Sequence, residues 1–176
     1  MQPGDKRRAD TPGSHSERQL MAMVRARRKP VDNAEAQRAA AYVLEDQVGF
    51  LLRCAHQRAS EIFNGVMGRF GVTPTQFAAL AKLDDVGSVS QNQLGRLTRM
   101  DPATVSGVVG RLIARGLVHQ SPDARDARLV LLALTPSGRA AVLEMKAAAV
   151  EVSRRTLEPL PAAEAQALVR ALARIG

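Results

Sequence analysis

The sequence predicts a mainly α-helical fold with one small β-hairpin, an α+β arrangement. Three observations support this prediction. Residues that cap helix amino termini recur along the chain, as at Ser90, Asp101 and Thr135. Apolar residues between these caps recur at helical spacing. A single pair of β-rich runs, residues 117–120 and 128–134, flanks the turn-forming segment SPDARDA, which is typical of a hairpin.

Composition narrows the class of partner. A chain of 176 residues with 45% apolar content is large enough to bury one core, alone or with extended arms. Its net charge of +8 favours a polyanion such as nucleic acid. Aromatic residues make up only 3%, so the stacking surfaces of single-strand and RNA readers are largely missing. Double-stranded DNA is therefore the preferred partner.

Cysteine content and hydropathy bear on location. The chain has one cysteine, Cys54, which cannot close an intrachain disulfide. No apolar run approaches the roughly 18 residues of a membrane span, and the amino end has no signal-peptide core. We expect a protein of the reducing cytoplasm that has no membrane partner.

The amino-terminal residues 1–40 are predicted to form a basic, partly disordered arm. They contain nine basic and five acidic residues, with Pro and Gly interspersed. The arm accounts for half of the net charge. Two interpretations remain open, a tail without a role and an arm that contacts DNA phosphates.

A long helix is predicted from about Glu45 to Arg69. At helical spacing its apolar residues cover a wide arc, wider than packing on one side requires. We expect one flank of this arc to pack on its own subunit and the other on a second copy. Residues 41–70 and 136–176 are accordingly predicted to form a helical dimerisation region around a DNA-binding domain of residues 71–135.

The DNA-binding domain is predicted to contain three helices before the hairpin. The first begins with the capping box of Thr73 and Gln76 and ends at Gly87, and a second capping box, Ser90 with Gln93, opens a short helix to residue 99. Asp101 and Pro102 open a helix that Gly116 stops. After the hairpin, helices are predicted from Thr135 to about Arg155 and over residues 161–175.

The helix after Asp101 has a face suited to a DNA groove. Its apolar side consists of Val105, Val108, Val109, Leu112 and Ile113, and its other side of Ala103, Thr104, Gly107, Gly110 and Arg111. Small residues would let the backbone approach base edges in the major groove. Thr104 and Ser106 are placed to reach phosphates or bases, and Arg111 guanine or phosphate. The alternative is that the glycines permit helix packing and the hydroxyls bond local backbone.

The hairpin turn alternates acidic and basic residues. One aspartate could hold one arginine in place while another arginine stays free for a narrow minor groove. We assign Arg125 to the groove, and Asp126 with Arg128 to shaping the hairpin. A solvated charged turn is the alternative.

From about residue 44 onward the chain resembles the multiple antibiotic resistance regulator (MarR) family of winged helix-turn-helix transcription factors. The resemblance is carried by DPATVSGVVGRLIARGLV, by the D-x-R-D-x-R hairpin and by the LTPSG that follows. It implies a homodimer with interlocking terminal helices, helix 101–115 in the major groove, the hairpin as a wing in the minor groove, and repression relieved by a small ligand. Ala127 departs from the family, whose members often have a second arginine there.

On these grounds we predict a repressor that binds a palindromic operator as a homodimer. DNA contacts are assigned to residues of both helices and the wing: Ser90, Gln91, Asn92, Thr104, Ser106, Gly107, Arg111, Arg125 and Arg128. A sequence-nonspecific architectural or RNA-binding protein is the alternative. Enzymatic activity is not expected, because the three histidines are scattered and no metal-binding or phosphate-loop motif occurs. No cofactor or metal is expected either.

Two features bear on the signal that would relieve repression. Arg58 is predicted beside apolar residues of the first long helix, where a cation needs a partner. It either forms an ion pair or, with His56, binds an anionic effector such as an aromatic acid or its acyl-CoA thioester. Some relatives sense peroxide through a cysteine early in this helix. That position is Gly49 here, so Cys54 is expected to be an ordinary semi-buried residue, with a thiol sensor as the alternative.

Overall fold

A computed structural model of the chain describes residues 33–126 and 128–176. Most of the predicted basic arm, residues 1–32, lies outside the described residues, as does Ala127. The chain divides into two units at residues 47 and 48. In the first unit, α1 spans Asn33–Ala40 and contains no buried residue, and a 3-10 turn spans Leu44–Asp46.

The second unit contains the remaining helices. They are α2 (Val48–Met67), α3 (Pro74–Val86), α4 (Gln91–Thr98), α5 (Pro102–Ala114), α6 (Pro136–Leu157) and α7 (Ala162–Ile175), with a 3-10 turn at Gly68–Phe70. The predicted start of the first long helix at Glu45 is wrong. The backbone at Gln47 is extended, with φ −80° and ψ 125°, so the helix begins at Val48. The helix caps predicted at Thr73, Ser90, Asp101 and Thr135 are confirmed.

The hairpin belongs to a three-stranded antiparallel sheet. Its strands are β1 (Ser88–Ser90), β2 (Val118–Pro122) and β3 (Val130–Leu134), in the order β1-β3-β2. The strand β1 was not predicted, because three residues that run directly into a helix cap carry too little pattern to identify a strand. Ser90 pairs with Leu131 in the register of β1 and β3. The start of α4 and the hairpin are therefore attached to one sheet.

The core of the second unit is continuous from α2 to α6. Phe63 and Met67 of α2 are buried in the same cluster as Leu80, Leu112 and Val142. Helices α2 and α6 pack against each other, and α6 also packs on α3. Since burial of apolar surface dominates folding, the two helices that flank residues 71–135 form part of the structural support of that segment.

The predicted wide apolar arc of α2 is only partly covered within one chain. Phe63 and Met67 at its carboxy-terminal end are buried, whereas Val48, Leu51 and Leu52 are 68%, 52% and 41% exposed. Further large apolar residues are exposed on α6 and α7: Leu143, Val150, Leu168, Val169, Leu172 and Ile175. Exposed apolar surface of this extent is typical of an interaction face.

The start of α6 lies directly against the link between α5 and β2. The Thr135 hydroxyl donates to the Gly116 carbonyl over 2.7 Å and accepts from the Gly138 N–H over 2.9 Å. Gly138 is buried, and a Cβ atom there would lie 2.0 Å from the Leu117 carbonyl oxygen. Only glycine permits this approach, so the LTPSG segment holds α6 against the link between α5 and β2.

Candidate DNA-binding surface

Helix α4 is placed by its cap and by close packing on α5. The Ser90 hydroxyl accepts from the Gln93 N–H over 3.3 Å, but the structure shows no reciprocal bond from the Gln93 side chain, so the predicted capping box is half formed. A Cβ atom on Gly95 would lie 3.3 Å from the Met100 carbonyl oxygen and 3.4 Å from Val105. Gly95 thus brings α4 close to the first turn of α5. Of the predicted DNA contacts on α4, Asn92 is exposed and Gln91 is half-buried.

The amino terminus of α5 is organised by Asp101. Its carboxylate accepts from the Thr104 N–H over 2.9 Å and from the Thr104 hydroxyl over 2.5 Å. These bonds, the hydroxyl bond foremost, hold the pKa of Asp101 below its usual range. The hydroxyl proton of Thr104 is therefore used within the cap, and the exposed side chain can still accept a hydrogen bond at its oxygen.

The two faces of α5 divide as predicted. Val105, Val108, Val109 and Leu112 are buried, and Ile113 is half-buried. On the other side Ser106, Gly110 and Arg111 are exposed. The Arg111 guanidinium folds back over Gly107, so that a Cβ there would lie 3.5 Å from Nη1. The buried side anchors α5 in the core while the polar, small-residue side faces outward.

The wing is shaped by backbone hydrogen bonds to its aspartates. The Asp123 carboxylate accepts from the N–H groups of Arg125 and Asp126, over 2.6 and 3.1 Å, and Asp126 accepts from the Arg128 N–H over 3.0 Å. The predicted pairing of an aspartate with an arginine guanidinium is wrong for the described residues, where no wing aspartate forms an ion pair. Carboxylates in tight turns bond nearby N–H groups instead. The Arg125 and Arg128 side chains are both exposed.

The prediction of the shaping residues missed Asp123, which accepts more bonds than Asp126. Its N–H also donates to the Leu129 carbonyl over 2.8 Å, which closes the turn across the wing. Its position after Ser121 and Pro122 is a turn signal that could have identified it.

Sequence reasoning also missed three arginines around α4 and α5. Arg115 donates to the carbonyl oxygens of Gly71 and Phe70, both over 2.7 Å, and ties the end of α5 to the end of α2. Arg96 and Arg99 lie exposed at the end of α4. The tie made by Arg115 spans 44 positions and has no local sequence signal.

The two predicted effector residues lie apart. His56 lines a cavity of about 160 Å³ together with Ala59, Ser60, Phe63, Pro74 and Val152. Arg58 is exposed and is not part of this lining. Residues two apart on a helix point in nearly opposite directions, about 200° apart, which separates the pair. In the described part of the chain Arg58 has no ion-pair partner.

Cys54 is exposed, so the prediction of a semi-buried thiol is wrong for the single chain. The cause is that the amino-terminal half of α2 is uncovered. The Arg53 Nη2 lies 3.7 Å from the Cys54 sulfur, while the Arg53 guanidinium also stacks 5.0 Å above the Phe50 ring.

Residues 33–126 and 128–176 contain no cluster of three or more His, Cys, Asp or Glu residues placed to hold a metal ion. No helix within those ranges has the length and apolar character needed to cross a membrane.

Comparison with known proteins connects this geometry to a family. The model of the MarR family matches residues 70–129, from the 3-10 turn after α2 into the wing. The chain is 39% identical over 140 residues to the HTH-type transcriptional repressor NicR of Pseudomonas putida, a match that covers 80% of this chain and 85% of the repressor.

Solved structures agree with this match. A probable transcriptional regulator from Pseudomonas aeruginosa is 50% identical with a TM-score of 0.73, over 76% of this chain and 100% of that one. BpsR of Bordetella bronchiseptica, whose DNA binding is regulated by 6-hydroxynicotinic acid, is 41% identical with a TM-score of 0.72, over 76% of this chain and 96% of that one. The predicted winged helix-turn-helix fold is confirmed, and the chain belongs to the MarR family of DNA-binding transcriptional regulators.

Proposed function

We propose that this chain is a repressor that binds a palindromic operator as a homodimer and releases it when a small anionic aromatic ligand binds. One observation carries the proposal. The exposed side of α5 presents small and polar residues with one arginine, on a helix whose other side is fixed in the core. The small residues on this side would let the helix backbone approach base edges closely, while the buried side keeps the helix in the core.

Major-groove contacts are proposed for α5. This helix has 13 residues and is therefore about 20 Å long, and its first turns carry Thr104, Ser106 and Gly107. The nearest atoms above Gly107 belong to the Arg111 side chain, which is long enough to swing towards a base or phosphate. Ser90, Gln91 and Asn92 at the start of α4 are proposed to fix the orientation on the backbone.

Minor-groove contacts are proposed for the wing. Asp123 and Asp126 are occupied by backbone N–H groups, which leaves Arg125 and Arg128 exposed with no carboxylate partner in the described residues. We assign Arg125 to the groove, where negative potential is concentrated, and Arg128 to the adjoining backbone.

The dimer is proposed to form through residues 41–70 and 136–176, and residues 71–135 to form the DNA-binding domain. The exposed apolar residues of α2, α6 and α7 support this. The concavity of about 300 Å³ lined by Leu157, Ala165 and Val169 adds a site for a partner side chain. Light scattering should give twice the 18.9 kDa chain mass, and Leu172→Asp should shift it towards the monomer.

The effector is proposed to bind in the His56 cavity. A cavity of about 160 Å³ holds a single ring, and Phe63, Pro74 and Val152 provide apolar walls with His56 as the polar group. The regulation of the similar protein BpsR by 6-hydroxynicotinic acid supports a ligand of this class. Arg58 is proposed to attract the anion from outside the cavity. Titration with 6-hydroxynicotinic acid should show at least tenfold weaker binding for His56→Ala and a smaller loss for Arg58→Ala.

A thiol-based response is the second candidate, since Cys54 is exposed and a guanidinium lies 3.7 Å from its sulfur. To separate the thiol response from ligand binding, operator affinity is measured after peroxide treatment of the wild type and of Cys54→Ser. Release of DNA from the wild type alone would establish the thiol sensor.

The test of the main proposal compares a palindromic promoter fragment with random duplex at two salt concentrations. A repressor keeps its preference for the promoter at high salt, whereas an architectural protein loses both complexes together. Ligand addition should release only the promoter complex. Equal affinity for both duplexes at every salt concentration would refute the proposal.

A further inference from the structure

Two cations among residues 71–135 have neither a partner in the described structure nor an assigned DNA contact. Residues 71–135 contain seven Lys and Arg residues. Lys82 lies 3.6 Å from Asp85, and Arg115 is held by two carbonyl oxygens. Arg111, Arg125 and Arg128 belong to the proposed groove contacts. Arg96 and Arg99 remain, and neither side chain forms an ion pair or hydrogen bond within the described residues.

Both arginines line the same concavity, which lies between α4 and α5. Its volume is about 450 Å³, and its lining continues through Asn92, Gly95, Met100, Pro102 and Val105. Pro102 and Val105 belong to the first turn of α5 and Asn92 to the first turn of α4. The site is therefore contiguous with the end of α5 that is proposed to enter the major groove.

The backbone at Arg99 is unusual. It has φ 54° and ψ 37°, the left-handed conformation that glycine or asparagine normally provides at a helix end, and it is the one non-glycine residue with positive φ in the described chain. An arginine there costs stability relative to glycine. Its side chain gains no hydrogen bond in the described structure that would offset this cost. The exposed guanidinium is therefore free to bind a group outside the chain.

We propose that Arg96 and Arg99 together bind a backbone phosphate of duplex DNA, beside the groove that α5 enters. The inference rests on the proposed DNA-binding function and adds a second anchor beside the first turn of α5. Asp101, the nearest acidic residue in sequence, forms no ion pair with either guanidinium group. Its carboxylate already accepts two bonds from Thr104.

The openness of the site favours a phosphate of DNA over a free anion. Both arginines are exposed, so a small anion bound here stays in contact with water and gains little. A phosphate carried by docked DNA arrives at high effective concentration, because the other contacts have already positioned the duplex. Exposed arginines can then add affinity with no buried site.

The main test measures operator and random-duplex affinity of the full-length Arg96→Ala/Arg99→Ala variant over a range of salt concentrations. Phosphate contacts weaken binding uniformly, so both duplexes should lose affinity by roughly tenfold or more at low salt, with an unchanged preference. The slope of log K against log salt should fall in magnitude by about 1 per subunit, because one phosphate contact is lost. The control is Arg69→Ala. Arg69 is exposed and precedes Phe70, whose carbonyl accepts from Arg115 at the carboxy-terminal end of α5, whereas Arg96 and Arg99 lie beside the first turn of α5.

Arg99→Gly separates binding from folding. Glycine suits the left-handed backbone, so this variant should unfold at a temperature about 1 to 3 °C higher while binding DNA more weakly. If Arg99 had only a structural role, the unfolding temperature and the DNA affinity of Arg99→Gly would both rise or stay constant.

The outcomes distinguish the possibilities. Wild-type protein that binds no duplex overturns the proposed function itself. Wild-type binding with no change of affinity or salt slope in the double variant overturns the phosphate site alone. Submillimolar binding of inorganic phosphate that the double variant loses, with DNA affinity intact, would instead identify a free-anion site.

Discussion

Arg115 reaches across 44 positions to Gly71, with its Nη1 atom 2.7 Å from the Gly71 carbonyl oxygen. Its Nη2 donates to the neighbouring Phe70 carbonyl over 2.7 Å. Gly71 has φ +60° and ends the turn after α2, where carbonyl groups lack helical partners. The guanidinium thus closes the end of α2 and secures the end of α5 in one contact.

We expect Arg115→Ala to lower the free energy of unfolding by about 1 to 2 kcal/mol, because two charge-assisted bonds at an exposed site are lost. Urea unfolding followed by circular dichroism at fixed protein concentration measures this. Arg115→Lys keeps the charge but not the two-pronged geometry, and should recover less than half of the loss. Arg111→Ala, on the same helix, should leave stability unchanged. Equal stability of all four proteins would contradict the structural role.

Gly138 tolerates no side chain. Its Cβ would lie 2.0 Å from the Leu117 carbonyl oxygen, a backbone atom that cannot rotate away. Gly138→Ala should therefore cost about 2 kcal/mol or more, although alanine is the better helix former. The control is Gly110→Ala on α5, where a Cβ meets nothing within 4 Å. That variant should gain roughly 0.5 to 1 kcal/mol in the same unfolding measurement.

Lys146 links α6 to the end of α3. Its Nζ lies 2.6 Å from Asp84 Oδ2 and 2.8 Å from Asp85 Oδ1. The hydrogen bond from Lys146 lowers the pKa of Asp85, and the bonds to Asp84 and then Asp85 raise the pKa of Lys146. Because the carboxyl pKa is lower in the folded state, Asp85 stabilises the fold at pH values above its unfolded pKa of 3.8. This stabilisation is lost as pH falls through the folded pKa. Because the lysine pKa is higher in the folded state, Lys146 stabilises the fold at pH values below its unfolded pKa of 10.5. This stabilisation is lost as pH rises through the folded pKa.

The stability difference between wild type and Lys146→Met should therefore be greatest between about pH 5 and 9, and should shrink towards pH 3 and pH 11. Urea midpoints at these pH values measure it. Lys82→Met, which removes only a 3.6 Å pair with Asp85, serves as the comparison. A difference that is constant from pH 3 to 11 would show that the ion pairs contribute nothing.

Asp123 controls the wing through its oxygen rather than through its charge. It accepts the N–H groups of Arg125 and Asp126. Asp123→Ala removes this acceptor, so operator affinity should fall by roughly tenfold while global stability changes by about 1 kcal/mol or less. Asp123→Asn keeps the acceptor and removes a negative charge near DNA, so its affinity should equal or exceed that of the wild type. Weak binding by the asparagine variant would show that the charge itself is required.

Interactions between residues close in sequence were sufficient to predict much of the fold. The caps at Thr73, Ser90, Asp101 and Thr135 and the buried face of α5 depend on neighbouring residues and on helical periodicity, so they could be predicted from sequence. The turn residues of the wing could be placed for the same reason. The hydrogen-bond partners of these turn residues could not be predicted, because an aspartate in a turn can accept from either a backbone N–H or a guanidinium group.

The tertiary structure decided everything that depends on distant partners. The strand β1 exists because β3 lies beside it, Gly138 is required because Leu117 approaches it, and Arg115 bonds residues more than 40 positions away. Likewise, His56 and Arg58 were paired from sequence but lie on different sides of α2, and only packing against Pro74 and Val152 gives His56 a cavity. Sequence patterns report the local periodicity of side chains, whereas sites are made where separate elements meet, and that meeting has no local signature.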